Sequence, residues 1–220
     1  MGQALDMLAL MYDEGISRVI ATPHYHAGHV ETPAPVLREK FEELKKAAAS
    51  DEILWRMELY LGSEVYYTPS VTDWLDDGRV LTLADSRYVL LEFGYTMDKR
   101  MIFSGVSDVA RAGYVPVIAH VERYEGLGYK TENVRELVNM GAYIQINSGA
   151  FDASRKERSF VKKLLKEGLV SFVATDAHDT GRRAPDLRKA EKYITKHFGE
   201  EYFYRLMIDG PAALTGGQGI

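Results

Sequence analysis

Apolar residues recur along the chain in two rhythms. Leu5, Leu8, Ala9 and Tyr12 stand at the i, i+3, i+4, i+7 spacing of one helix face, and Gly15 marks where that helix stops. The run SRVIATPH (17–24) then reads as a short buried strand ending on a histidine. Further apolar runs of strand length follow: WRMELYLGSEV (55–65), YVLLEFGY (88–95), VPVIAHVE (115–122), AYIQINSGA (142–150) and VSFVATDAH (170–178). Helical patterns separate them. APVLREKFEELKKAAA (34–49) puts Phe41 and Leu44 on an inner face, while ENVRELVNMG (132–141) and SFVKKLLKEG (159–168) close on Gly141 and Gly168. Every unit after the first runs strand then helix, which predicts an α/β fold with a parallel sheet.

Polar residues at the strand ends choose between sheet types. Glu64, Glu92, His120, Asn147 and Asp176 each sit where an apolar run gives out, at intervals of about 28 residues, close to the roughly 31 per unit of a (β/α) barrel. An open doubly wound sheet would gather polar residues at one switch point and usually carry a Gly-rich first turn. Neither GxGxxG nor GxxxxGK[ST] occurs. With no break in composition to mark a linker, residues 1–220 read as one barrel domain.

On a barrel rim, His24, Glu64, Glu92, His120, Asp176 and His178 would converge. Several carboxylates so close repel unless cations neutralise them, and a histidine–carboxylate set suits Zn, Mn or Fe. In TDAHD the Asp-x-His spacing sets both side chains on one face of an extended segment. Arg123 lies just beyond His120 and Arg183 just beyond His178, where guanidinium groups could hold a phosphate; Arg182 is an alternative to Arg183. The bland reading of these arginines is a surface pairing with Glu122 or Asp186. His26 and His29 read as surface loop histidines, and His197 as a residue near a helix end.

The chain has no cysteine, which rules out disulfides, thiolate metal sites and attack by a Cys sulfur, and makes a reducing cytoplasm the expected location. Net charge is −5 with no Lys/Arg-rich block, so a nucleic-acid surface is not expected. No apolar run approaches the roughly 18 to 20 residues of a membrane span, and no signal peptide is visible.

The motifs ATPH, GSEVYYTP, LLEF, PVIAHVERY, INSGAF and TDAHDTGRRAP stand in the order seen in bacterial tyrosine phosphatases of the polymerase-and-histidinol-phosphatase (PHP) family. The chain resembles the capsule-biosynthesis branch, which serves Gram-positive exopolysaccharide regulation, and the likeness runs from Met1 to IDGPAAL (208–214). The resemblance implies a distorted seven-stranded (β/α) barrel holding up to three divalent ions, Mn or Fe. It implies that His24 and His178 bind one ion, that Glu64 bridges two, and that Glu92 and His120 bind another. Asp176 resembles the terminal ligand of an ion otherwise held by an N-terminal His-x-His pair, and Arg123 and Arg183 match the arginines beside the phosphate. The implied substrate is phosphotyrosine in the tail of a bacterial tyrosine kinase; a homo-oligomer is compatible with the sequence. The chemistry would be in-line attack of a metal-activated water on phosphorus, with a phenolate leaving group that needs no dedicated general acid.

One departure stands out. Family members open with a strand carrying His-x-His and an acidic loop before the first helix, and this chain opens in that helix. By ordinary strand and loop lengths about 20 residues are expected ahead of Met1, so the chain itself should lack the first barrel strand and hold at most two ions well. Competing readings are a PHP-type phosphatase for a small monoester such as histidinol phosphate, a metal-dependent amidohydrolase using HYH (24–26), and a non-catalytic phosphopeptide-binding module.

Overall fold

A computed structural model describes residues 1–216. Helix α1 (Gly2–Asp13) leads into strands β1 (Arg18–Ala21) and β2 (His24–Tyr25), then α2 (Ala34–Ala49), β3 (Glu58–Leu61), β4 (Glu64–Tyr66) and α3 (Val71–Asp76). The alternation continues with β5 (Tyr88–Glu92), α4 (Lys99–Arg111), β6 (Val115–Ile118), α5 (Thr131–Asn139), β7 (Tyr143–Asn147), α6 (Arg155–Lys166) and β8 (Phe172–Ala174). Helices α7 (Arg188–Phe198), α8 (Glu200–Tyr204) and α9 (Gly210–Gly216) end the described chain, with a wider turn over Arg205–Asp209 between the last two. Among the described residues no helix is long and apolar enough to cross a membrane.

All strand pairs are parallel. One ladder runs β2-β4-β5-β6-β7-β8, and β1 pairs β3 beside it. The two runs expected as single strands, 17–24 and 55–65, are each broken: the first at Thr22–Pro23, the second by a 3-10 turn at Leu54–Arg56 and again at Gly62–Ser63. Proline cannot donate to a ladder, which explains the first break. At the second break Gly62 packs closely on Leu83: a Cβ there would sit 3.0 Å from the Leu83 side chain and 3.1 Å from its Cα, which favours glycine at this position. Backbone bonds from Gly62 N–H to Ala21 O (2.9 Å) and Glu64 N–H to Pro23 O (3.1 Å) carry the pairing across both breaks. The result is a curled parallel sheet, a half-barrel. Among the described residues no ladder joins β8 to β1. On that side Glu14, after α1, pairs with Arg188 at 3.3 Å and accepts from Leu187 N–H at 3.4 Å, so α1 and α7 meet across the opening.

Alternation along the strands separates two apolar layers. Ile144, Ile146, Ile118 and Val173 face outward into the main core beneath the helices. Tyr88, Val117 and Phe172 face inward with Leu83 and Leu214, which fill the concave side below the strand ends. A smaller cluster of Leu8, Met11, Ala48, Leu54 and Met57 seats α1 and α2 on β1 and β3. Here Met11 is buried and Ala9, expected on the inner face, is exposed. Gly15, Gly141 and Gly168 all have positive φ where their helices end, the left-handed stop that glycine adopts without strain. Helix α6 starts earlier than its apolar spacing indicates, because Ser154 and Glu157 form a reciprocal capping box.

Candidate metal and phosphate site

The inward-facing positions change from apolar to polar at the C-terminal ends of the strands. On β5 the inward series Tyr88, Leu90 ends in Glu92; on β7 Tyr143 gives way to Gln145 and Asn147; on β8 Phe172 and Ala174 lead to Asp176. His120 follows a different rule. Alternation would send it outward with Ile118, but its backbone is left-handed (φ 29°, ψ 54°), which turns the imidazole inward. Asp176 is also left-handed (φ 50°). Such conformations cost energy in non-glycine residues and persist only where surrounding bonds hold them. For His120 the backbone N–H donates to Gln145 Oε1 at 3.0 Å.

His24, Glu64, Glu92 and His120 form one cluster. His24 Nδ1 lies 3.2 Å from Glu64 Oε2 and 3.6 Å from Glu92 Oε2. His120 Nε2 lies 3.1 Å from Glu64 Oε1 and 3.4 Å from Glu92 Oε1. His24 Nε2 approaches His178 Nε2 to 3.0 Å, while His178 Nδ1 faces Asp176 O at 3.0 Å. Burial pulls the His120 imidazolium down, but hydrogen bonds to Glu64 and Glu92 outweigh it and raise the group to about 9. Burial likewise pushes Glu92 up, and hydrogen bonding and charge from His120 bring it below its ordinary value. Two carboxylates are thus held together by positive charge, the role a divalent cation would fill. The donor chemistry fits one: Glu64, Glu92 and His24 offer ligand atoms that all lie within 4.8 Å of one another, and oxygen and imidazole donors without thiolate suit Mn, Fe or Zn.

A second cluster adjoins the first. Asp176 Oδ2 receives Arg183 Nη2 at 2.7 Å, Arg123 Nη2 at 3.1 Å and Asn147 Nδ2 at 2.6 Å. The alternative surface pairings of these arginines with Glu122 or Asp186 do not form; Asp186 pairs with Arg188 instead. The turn after β8 selects Arg183 over Arg182: Asp179 Oδ1 accepts from the N–H groups of Gly181 and Arg183, and His178 N–H donates to Arg183 O. That compact turn directs Arg183 inward and leaves Arg182 exposed.

Some residues of this network went unassigned in the sequence. Gln145 Nε2 donates to Asn147 Oδ1 at 2.6 Å, so one chain of amides links the His120 backbone to the Asp176 carboxylate. Its signal was a glutamine inside the apolar run AYIQIN, in phase with Asn147. Glu122 is buried; its Oε1 accepts from Asn147 N–H at 3.1 Å, and burial pushes its pKa up to about 7. His26 is half-buried rather than a plain surface residue: its ring stacks on Tyr66 at 4.0 Å and 13°. HYH begins in strand β2, not in a loop, with His26 bridged to Val30. His29 and His197 are exposed.

The class these features define is a curled parallel α/β sheet, a half-barrel, with histidines, carboxylates and arginines gathered at one end of its strands. Dihydropyrimidinase from Brevibacillus agri shares that fold, with TM-score 0.57 at 10% identity over 98% of this chain and 66% of the other. The particular relationship is much tighter. Residues 1–215 match the family described as capsular polysaccharide synthesis, CpsB/CapC, and the chain belongs to that family. Tyrosine-protein phosphatase CpsB of Streptococcus pneumoniae is 34% identical over 212 residues, 93% of this chain and 86% of the relative. A structure described among those of Bacillus subtilis YwqE and S. pneumoniae CpsB, "unique metal-dependent tyrosine phosphatases", superposes with TM-score 0.90 at 29% identity over 100% of this chain and 88% of the other.

Proposed function

We propose that this protein is a metal-dependent phosphatase that hydrolyses phosphotyrosine on a protein, with a bacterial tyrosine kinase of capsule synthesis as its partner and the cytoplasm as its location. The observation that carries the reading is the meeting of two clusters: His24 and His120 each within 3.6 Å of both Glu64 and Glu92, and Arg123 and Arg183 converging on Asp176 beside them. Membership of the CpsB/CapC family supports the same conclusion. The curled sheet is read as the distorted PHP barrel.

In this reading His24, Glu64, Glu92, His120, Asp176 and His178 hold divalent ions, manganese or iron. Such ions supply an activated water and neutralise developing charge. The protein's own groups do the orienting. Glu64 spans His24 and His120 with its two oxygens, setting the spacing of the donors. Asp176 engages Nη2 of each arginine, and a guanidinium has five N–H donors in one plane, so further donors remain for phosphate oxygens. Arg123 and Arg183 thereby stabilise charge on the equatorial oxygens in the transition state. A tyrosine phenolate, with pKa about 10, departs without a general acid.

The test compares turnover of a phosphotyrosine peptide and histidinol phosphate by the manganese-loaded protein. Preferential phosphate release from the peptide supports the reading. Preference for histidinol phosphate overturns the protein substrate, and tight peptide binding without release overturns the enzyme.

A further inference from the structure

The rim of the site is divided by chemistry. Arg123 and Arg183, after β6 and β8, line one side. The other side, beyond β2, β4 and β5, is aromatic. His26, Tyr66 and Gly94 each follow a proposed metal-binding residue (His24, Glu64, Glu92) by two positions. Alternation puts them on the same face, one pleat or about 6.6 Å nearer the mouth. His26 stacks on Tyr66 with ring centroids 4.0 Å apart, and His29 packs against His26 at 4.5 Å. The Tyr66 hydroxyl occupies the space above Gly94, where a Cβ would come within 2.6 Å of it. Tyr95 is 50% exposed; it lies close enough to the Arg123 guanidinium to interact with it electrostatically, and its ring stands edge-on to His120 at 6.3 Å. The aromatic half therefore runs continuously into the arginine half.

From this arrangement we infer that the stacked His26–Tyr66 pair, flanked by Tyr95, is the subsite for the substrate's aryl ring. Selectivity for aryl over alkyl phosphate monoesters then comes from this rim and not from the groups that hold phosphate. The inference rests on the phosphatase reading and adds the residues that choose the substrate class. In an aryl phosphate a single oxygen separates phosphorus from the ring, so a phosphoryl group among the ligands brings the ring to the level of the next pleat. A stacked pair of planar side chains meets such a ring with little rotamer freedom to lose, and each favourable ring contact is worth a few-fold to about tenfold in affinity.

The experiment measures competitive inhibition of the manganese-loaded protein by phenylphosphonate and methylphosphonate, with the KM for a phosphotyrosine peptide alongside. Wild type should prefer phenylphosphonate by about tenfold. Tyr66→Ala and His26→Ala should reduce that preference to near unity and raise KM several-fold while methylphosphonate inhibition holds; Tyr66→Phe, which keeps the ring, should restore it. Equal loss of both inhibitors, or an unchanged ratio in both alanine variants, overturns the subsite. If wild type releases no phosphate from any ester, the phosphatase reading fails. The subsite is then decided by calorimetric binding of the same two phosphonates: a phenyl preference abolished by Tyr66→Ala supports it, and equal affinities refute it.

Discussion

Replacing Asn147 by aspartate swaps one NH2 for an oxygen and leaves the shape unchanged, yet it should be among the most damaging substitutions near the site. Asn147 is 3% exposed. Its Nδ2 donates to Asp176 Oδ2 at 2.6 Å, and its Oδ1 accepts from Gln145 Nε2 at 2.6 Å. Asn147→Asp turns the first contact into two facing carboxylates. Unit charges about 4 Å apart repel by ~4 kcal/mol at an effective dielectric constant near 20. Arg123 and Arg183 on the same Asp176 oxygen offset part of this, which leaves a net cost of about 2–3 kcal/mol. Asn147→Ala removes the donor without adding charge and should cost about 1–3 kcal/mol, the value of a hydrogen bond to a charged partner. Repulsion raises the folded pKa of one of the two carboxyls above its unfolded value. The penalty of Asn147→Asp is therefore complete well above that raised pKa and disappears as pH falls toward 4. Urea denaturation with chelator present, at pH 8 and near pH 4.5, measures both quantities. An Asn147→Asp variant as stable as wild type at pH 8, or a deficit that does not change with pH, would refute the reasoning.

Other substitutions probe separate parts of the account. Glu122 is buried with its pKa pushed up to about 7 against an ordinary 4.5, so its ionised form opposes folding. In metal-free protein Glu122→Gln should stabilise by roughly 2–3 kcal/mol above pH 7 and by almost nothing below pH 4.5, read from urea midpoints across pH. Arg183→Ala should weaken competitive inhibition by inorganic phosphate about tenfold or more, whereas Arg182→Ala, at an exposed position, should leave it within twofold. Glu64→Gln should reduce calorimetric manganese affinity by at least 10-fold, because Glu64 meets both His24 and His120. Gly105→Ala on α4 would put a methyl 2.8 Å from Phe93 and 2.9 Å from Tyr67; overpacking of that kind should lower stability by about 1–3 kcal/mol in thermal or urea melts.

Much of the architecture was legible because it follows from strand periodicity. Glu92 and Asp176 lie where inward-facing apolar series run out, whereas Glu64, expected at a strand's end, opens β4 after the break at Gly62–Ser63; a parallel sheet brings such positions together whatever its exact closure. His120 was found by its spacing, but its inward turn depends on a left-handed backbone that no periodic rule contains. The same rules missed what depends on neighbours far along the chain. Splitting of the first strand runs could be suspected at Pro23 but not at Gly62, whose close packing on Leu83 involves a later segment. Gln145 stayed hidden in an apolar run because the backbone N–H it accepts from belongs to His120, 25 residues earlier on the neighbouring strand's end. His26 read as a surface residue since only the fold reveals Tyr66 stacked on it.

The most direct measurement is phosphate release from a phosphotyrosine peptide by the purified protein, with manganese, after removal of metal by chelator, and after manganese is restored. The account predicts turnover that is lost with the metal, returns with it, and is at least 100-fold lower in Glu64→Gln under identical conditions. Turnover that persists without metal, or peptide binding with no release at saturating manganese, would contradict it.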